Sequence, residues 1–81
     1  MTTVPVLVDD INVAIEVAVF HGRAFSRDQD DRHLDVIEEI HQQVRSPATF
    51  LTQTIKRLGR QNALNAGFKL DLINTCIRLA A

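Results

Sequence analysis

Along its hydrophobic and polar positions the chain divides into four stretches of helical period. The first, DDINVAIEVAVFHGRAF at residues 9–25, opens on an acidic pair, and Asp9 or Asp10 can cap a helix over about 10–24. The polar run SRDQDD at 26–31 reads as a loop that supplies Asp30 or Asp31 as the next cap. A second helix, about 32–44, places Leu34, Ile37, Ile40 and Val44 on one side and Glu38, Glu39, Gln42 and Gln43 on the other. In SPATF, Ser46 reads as a cap and Pro47 suits the first helical position, where its missing N–H costs nothing. That third helix, about 47–58, turns Phe50, Leu51, Ile55 and Leu58 inward and stops at Gly59. RQNALNAG is a short helical turn or loop closed by Gly67, and a last helix over about 68–79 is expected to bury Leu72, Ile73, Cys76, Ile77 and Leu79. The expectation is one all-α domain over 1–81, a small four-helix orthogonal or bundle-like arrangement. VPVLV at 4–8 precedes it as a short arm, extended or helical, because Pro5 excludes a central strand.

The first helix has an unusual pattern. Its polar side chains Asn12, Glu16 and Arg23 fall within a wedge of roughly 40°, and apart from His21 the rest of the cylinder is apolar. Such a helix must be covered on nearly every side. Ala14, Ala18 and Gly22 recur every four residues and form a shallow groove flanked by Ile11 and Ile15, where another helix can approach closely. Either helix 2 or helix 4 of the same chain fills this groove, or a two-fold copy does. Burial favours the copy, so a homodimer through Ile11, Ala14, Ile15, Ala18 and Gly22 is expected.

Composition sharpens this expectation. An 81-residue chain buries a modest fraction of its surface, and with one cysteine it cannot close an internal disulfide, which leaves association as the remaining source of stability. Apolar residues are 46% and charged residues 23%, the balance of a folded domain. There is no run of about 18 apolar residues to span a membrane, and the first ten residues lack a basic leader, so the expected compartment is the cytoplasm. With neither Trp nor Tyr and four scattered Phe, neither an aromatic-walled pocket nor a stacking platform for single-stranded nucleic acid is expected. Charge is bipolar: residues 1–44 hold three basic and nine acidic residues, net −6, and residues 45–81 hold six basic and one acidic, net +5.

Candidate chemistry is sparse. His21 on the apolar face of helix 1 reads as a buried histidine satisfied by one carbonyl, and His33 as a boundary residue. Glu38-x-x-His41 has the spacing of carboxylate-bridged di-iron bundles, but the further inward carboxylates are missing. Asp28, Asp30 and Glu39 mimic positions one, three and twelve of a calcium loop, yet His33 stands where glycine is needed. Cys76 has no evident base beside it, and Gly22, Gly59 and Gly67 stand too far apart to cradle phosphate. No metal, cofactor or catalysis is expected.

Residues 60–80 resemble the helix-turn-helix pattern in outline. Gly67 stands for the turn glycine, Ala63 for the small residue at close helix contact, Ala66 and Phe68 for the apolar flanks, and Ile73 and Cys76 for the inward positions. The chain departs from the pattern at Asn62, where an apolar residue is expected, and lacks a Ser or Thr cap after the turn. The resemblance implies a reading face of Asp71, Asn74, Thr75 and Arg78, with Lys56, Arg57 and Arg60 toward phosphate; its DNA contacts would be Lys56, Arg57, Arg60, Asn74 and Arg78. The leading expectation is instead a small non-enzymatic interaction or regulatory protein. It would bind itself and a protein partner, the latter through the acidic face Asp35, Glu38, Glu39 and Gln42 of helix 2.

Overall fold

The computed structural model describes residues 10–80 and is all-α. Its elements are α1 (Ile11–Asp28), α2 (Arg32–Gln43), α3 (Pro47–Leu58), a short α4 (Arg60–Asn65) and α5 (Leu70–Ala80). The arm VPVLV and Asp9 lie outside the described residues.

Local chemistry sets most boundaries. Asp10 caps α1, its carboxylate accepting from the backbone N–H of Asn12 and Val13 at 3.0 and 3.3 Å. α1 runs through Ser26, Arg27 and Asp28, part of the stretch expected to be loop. Arg27 in the last turn suits the negative end of the helix dipole, and Gln29 ends the helix in the left-handed region at φ 59°, where its side-chain amide donates to the carbonyls of Phe25 and Ser26. Ser46 does not make the side-chain cap expected of it, and of the two caps expected before α2 Asp31 makes none. At the start of α2 the work falls to Asp30, whose carboxylate accepts from the backbone N–H and the guanidinium of Arg32. Gly59, at φ 86°, stops α3 as expected, but the chain re-enters a helix at once at Arg60.

The molecule is flat, 33 × 28 × 15 Å in its Cα extents, and so about two helices thick. α3 is the hub, touching every other helix, whereas α5 meets neither α1 nor α2. Two apolar cores follow from this layout. The larger joins Ala14, Ile15, Ala18 and Val19 of α1 to Ile37, Ile40 and Val44, with Phe50 and Leu58 from α3. The smaller joins Ile55 of α3 to Ala63 of α4 and to Ile73 and Cys76 of α5. Phe68, half-buried in the turn before α5, packs against both.

This arrangement corrects the expected dimer interface. Ala14, Ile15, Ala18 and Gly22 are buried by their own chain, and Ile11 is partly buried against the larger core. Neither α2 nor α5 lies over Gly22: an added Cβ there would meet Leu58 at the end of α3, at 2.6 Å from Cδ2. Small residues let α3 approach α1 closely, which was the physics expected, but the approaching helix belongs to the same chain. The arc of α1 left open is about 100° wide, because Phe20, Val13 and Arg27 join Asn12, Glu16 and Arg23 on it. A second correction concerns α5, where Ile73 and Cys76 are buried but Leu72 and Leu79 are 38% and 71% exposed. Among the described helices α5 packs only on α3 and α4, and these leave part of its apolar half-cylinder uncovered.

Candidate interaction cleft between α2 and α5

Because α2 and α5 flank α3 without meeting, a cleft of about 430 Å³ opens between them. Along α2 it is lined by Leu34, Ile37, Glu38 and His41, which share one side at helical spacing. Leu51 of α3 faces it, Ala66 and Phe68 line the turn side, and Leu72 of α5 supplies the far wall. The turn holds its shape through Gly67 at φ 97° and a bond from the Phe68 N–H to the Ala63 carbonyl at 3.1 Å. The His41 ring stacks on the buried Phe50, centroids 6.2 Å apart, so the α2 wall is anchored to the core. The lining is apolar except for Glu38 and His41. The Glu38 carboxylate has one long contact, 3.5 Å from the Gln42 amide, and is exposed.

The four residues of the expected acidic face, Asp35, Glu38, Glu39 and Gln42, are all exposed on α2, and Glu38 is the one that reaches the cleft. Sequence reasoning assigned Leu72 to the core and so missed the cleft. The signal that could have found it is the width of the apolar arc of the last helix, from Leu72 and Leu79 round to Leu70 and Ile77, more than one packing neighbour can cover.

The residues of the helix-turn-helix resemblance fall into two groups. Ala63, Ile73 and Cys76 do pack together, and Asp71, Asn74, Thr75 and Arg78 are exposed on α5. Asn62, the departure from the pattern, donates its side-chain amide to the Leu58 carbonyl at 2.9 Å. The basic residues do not gather behind that face, however. Arg60 donates to the Asn74 side-chain oxygen at 3.0 Å, and Arg57 turns toward α1, where it shares a concavity with Arg23 and Arg27. Lys56 is exposed in the last turn of α3.

At the α1–α2 corner, His21 is partnered by another histidine and not by a carbonyl. Nδ1 of His21 lies 2.8 Å from Nδ1 of His33, whose Nε2 lies 3.1 Å from the Asp28 carboxylate. With both rings neutral, His33 donates from Nε2 to Asp28 and accepts at Nδ1 from His21. Burial, and then the neighbouring His33, holds the His21 pKa below the ordinary 6.5. The backbone N–H of Asp30 and then His33 lower the Asp28 carboxyl, and the side-chain and backbone bonds from Arg32 bring Asp30 down to about 2. The calcium-loop mimicry dissolves here, since Asp30 is engaged by Arg32, Asp28 by His33, and Glu39 lies outward on α2. Among the described residues no group of three or more His, Cys, Asp or Glu side chains is placed to hold a metal ion. Nor is any described helix long and apolar enough to cross a membrane.

The chain matches no family model, no curated protein and no solved structure. The functional reading therefore rests on geometry.

Proposed function

We propose that this protein is a non-catalytic interaction module that takes an amphipathic helix of a protein partner into the α2–α5 cleft. The observation that carries this reading is the gap itself: an apolar slot of about 430 Å³, walled by Leu34, Leu51, Phe68 and Leu72, with a carboxylate at its lip. A helix laid in such a slot anchors by apolar residues at i, i+3 or i+4, and i+7. Glu38 at the lip and exposed Asp35 beside it on α2 select a partner whose flanking residues are Lys or Arg. The expected homodimer loses its original interface, since Ala14, Ala18 and Gly22 are already buried within the single chain, Gly22 against Leu58 of α3. Self-association is retained in this proposal only through surfaces still open, of which the Leu72–Leu79 edge of α5 is the most apolar.

A direct test titrates a model helical peptide of Leu and Lys against the protein and follows the methyl and ring resonances. Shifts should gather on Leu34, Leu51, Phe68 and Leu72. Leu72→Asp, at an exposed site that leaves the core intact, should weaken binding roughly 30-fold, the effect of losing one hot spot of about 2 kcal/mol. Glu38→Arg should weaken it several-fold. Equal binding by Leu72→Asp would remove the cleft from the account, and a doubling of sedimentation mass lost with Leu72→Asp would assign it to a second copy.

A second reading, a DNA-binding regulator, is favoured by the packing of Ile55, Ala63, Ile73 and Cys76 around the α4–turn–α5 unit. Against it stand Asp71 on the reading face and the Asn74 oxygen already engaged by Arg60. Retention on duplex DNA at low salt, lost steeply as salt rises and abolished by Arg78→Gln, would move this reading ahead.

A further inference from the structure

The outer stripe of α1 borders a second concavity, sharing no residue with the cleft. Glu16, Phe20, Arg23 and Arg27 follow one another at i, i+4, i+7 and i+11, within about 60° of arc and over about 16 Å of helix. With Val19 and with Arg57 from the last turn of α3 they line a shallow concavity of about 500 Å³. Three guanidinium groups thus meet on one surface. Arg23 has a structural part, donating to the Arg57 carbonyl at 3.2 Å, at the negative end of α3. The guanidinium groups of Arg27 and Arg57 make no ion pair among the described residues, where the pairs are Arg32 with Asp30 and His33 with Asp28. Glu16 is the one carboxylate in this lining against three guanidinium groups, so the concavity carries an excess of positive charge that a bound anion would offset.

Phe20 decides which kind of anion. It is 61% exposed, and its ring is set edge-on against the His21 ring, centroids 5.2 Å apart. A positioned, water-facing ring one turn from the arginines is a stacking surface for an unpaired base. The guanidinium forks match phosphate oxygens. Glu16, one turn beyond Phe20 and away from the arginines, interrupts any continuous track of phosphates but can accept from an amino group of a stacked base. Duplex DNA offers no free base face, and polyglutamate has no flat group to stack on the ring.

We propose that this concavity binds single-stranded nucleic acid, with phosphates on Arg23, Arg27 and Arg57 and one base on Phe20. The scattering of the four phenylalanines in sequence argued against a stacking platform; the fold needs only one ring once α3 delivers Arg57 beside it.

Fluorescence anisotropy with a short labelled oligothymidylate at low salt tests this on the intact chain. Three phosphate contacts predict that log K falls against log salt with a slope of about −2. The double variant Arg27→Gln/Arg57→Gln should lose at least about tenfold in affinity and flatten that slope, since it removes two of the three contacts. Phe20→Ala should lose about tenfold with the slope unchanged, the signature of stacking. Arg78→Gln, on the α5 face, should bind as the parent does, and a duplex of equal length should bind more weakly. The variant sites are exposed, and circular dichroism confirms the fold of each before titration. No binding, parent-like binding by Phe20→Ala, or equally tight binding of the duplex or of polyglutamate would each overturn the assignment. Because the cleft is probed by Leu72→Asp, failure at either site is read independently of the other.

Discussion

Replacing Gly22 by alanine sets two effects of opposite sign against each other, and the structure says which wins. In the interior of an exposed helix the change stabilises by about 1 kcal/mol, the difference in helix propensity. Here the new methyl would lie 2.6 Å from Cδ2, 3.0 Å from Cδ1 and 3.3 Å from Cγ of Leu58. Leu58 is buried in the larger core, so it cannot swing aside without displacing its neighbours. Overpacking of this kind costs about 1–3 kcal/mol, which leaves a net loss of about 1 kcal/mol. For a domain of this size that lowers Tm by about 4–8 °C. Leu58→Ala alone should cost about 2–5 kcal/mol, and the double variant should lie about 1–2 kcal/mol above the sum of the singles, since the methyl then enters the vacated space. Urea unfolding followed by far-ultraviolet circular dichroism measures all four corners of the cycle. A stabilised Gly22→Ala with additive singles would refute the packing of α1 on α3. So would a loss that deepens as protein is diluted, which would return the stripe to a second copy.

Other consequences are open to the same assay. Thr54 is fully buried and its hydroxyl has no hydrogen-bond partner among the described residues, so Thr54→Val should raise stability by about 1 kcal/mol; no gain would mean that the hydroxyl is satisfied. Asp10→Ala removes the cap on the Asn12 and Val13 N–H groups and should cost about 1 kcal/mol, with Asp10→Asn close to the parent. The His21 pKa lies below its unfolded value of 6.5, so the folded state binds fewer protons there. Its contribution is therefore fully present above about pH 6.5 and is lost as pH falls through the folded pKa. Unfolding midpoints measured downward from neutral pH should fall in that window, and His21→Asn should flatten the decline.

Much of this architecture was legible in the chain, for identifiable reasons. α2 and α3 follow from simple periodicity, Leu34–Ile37–Ile40 and Phe50–Ile55–Leu58, and from the stop signals of Pro47 and Gly59. The close approach at Gly22 was legible as chemistry but not as a partner, because a row of small residues fixes a distance and leaves the identity of the neighbour open. The end of α1 was misplaced because Ser26, Arg27 and Asp28 are polar and exposure looks like loop, although an exposed helical turn needs no apolar residues. The cleft was invisible for the converse reason. Leu72 has the spacing of a core residue, and whether a core residue finds cover depends on α2 and α5 failing to meet, a property of the tertiary layout alone. The basic concavity required Arg57 to arrive from α3, about 30 residues distant from Arg27 in the chain.

Binding in the cleft depends on which apolar side chains the single chain leaves open, and relaxation of methyl protons by a soluble nitroxide measures that most directly. Ala14 and Ala18 should stay protected at every protein concentration, while Leu51 and Leu72 relax strongly and become protected when the Leu/Lys peptide is added. Strong relaxation of Ala14 and Ala18 on dilution, with Leu72 protected throughout, would contradict it.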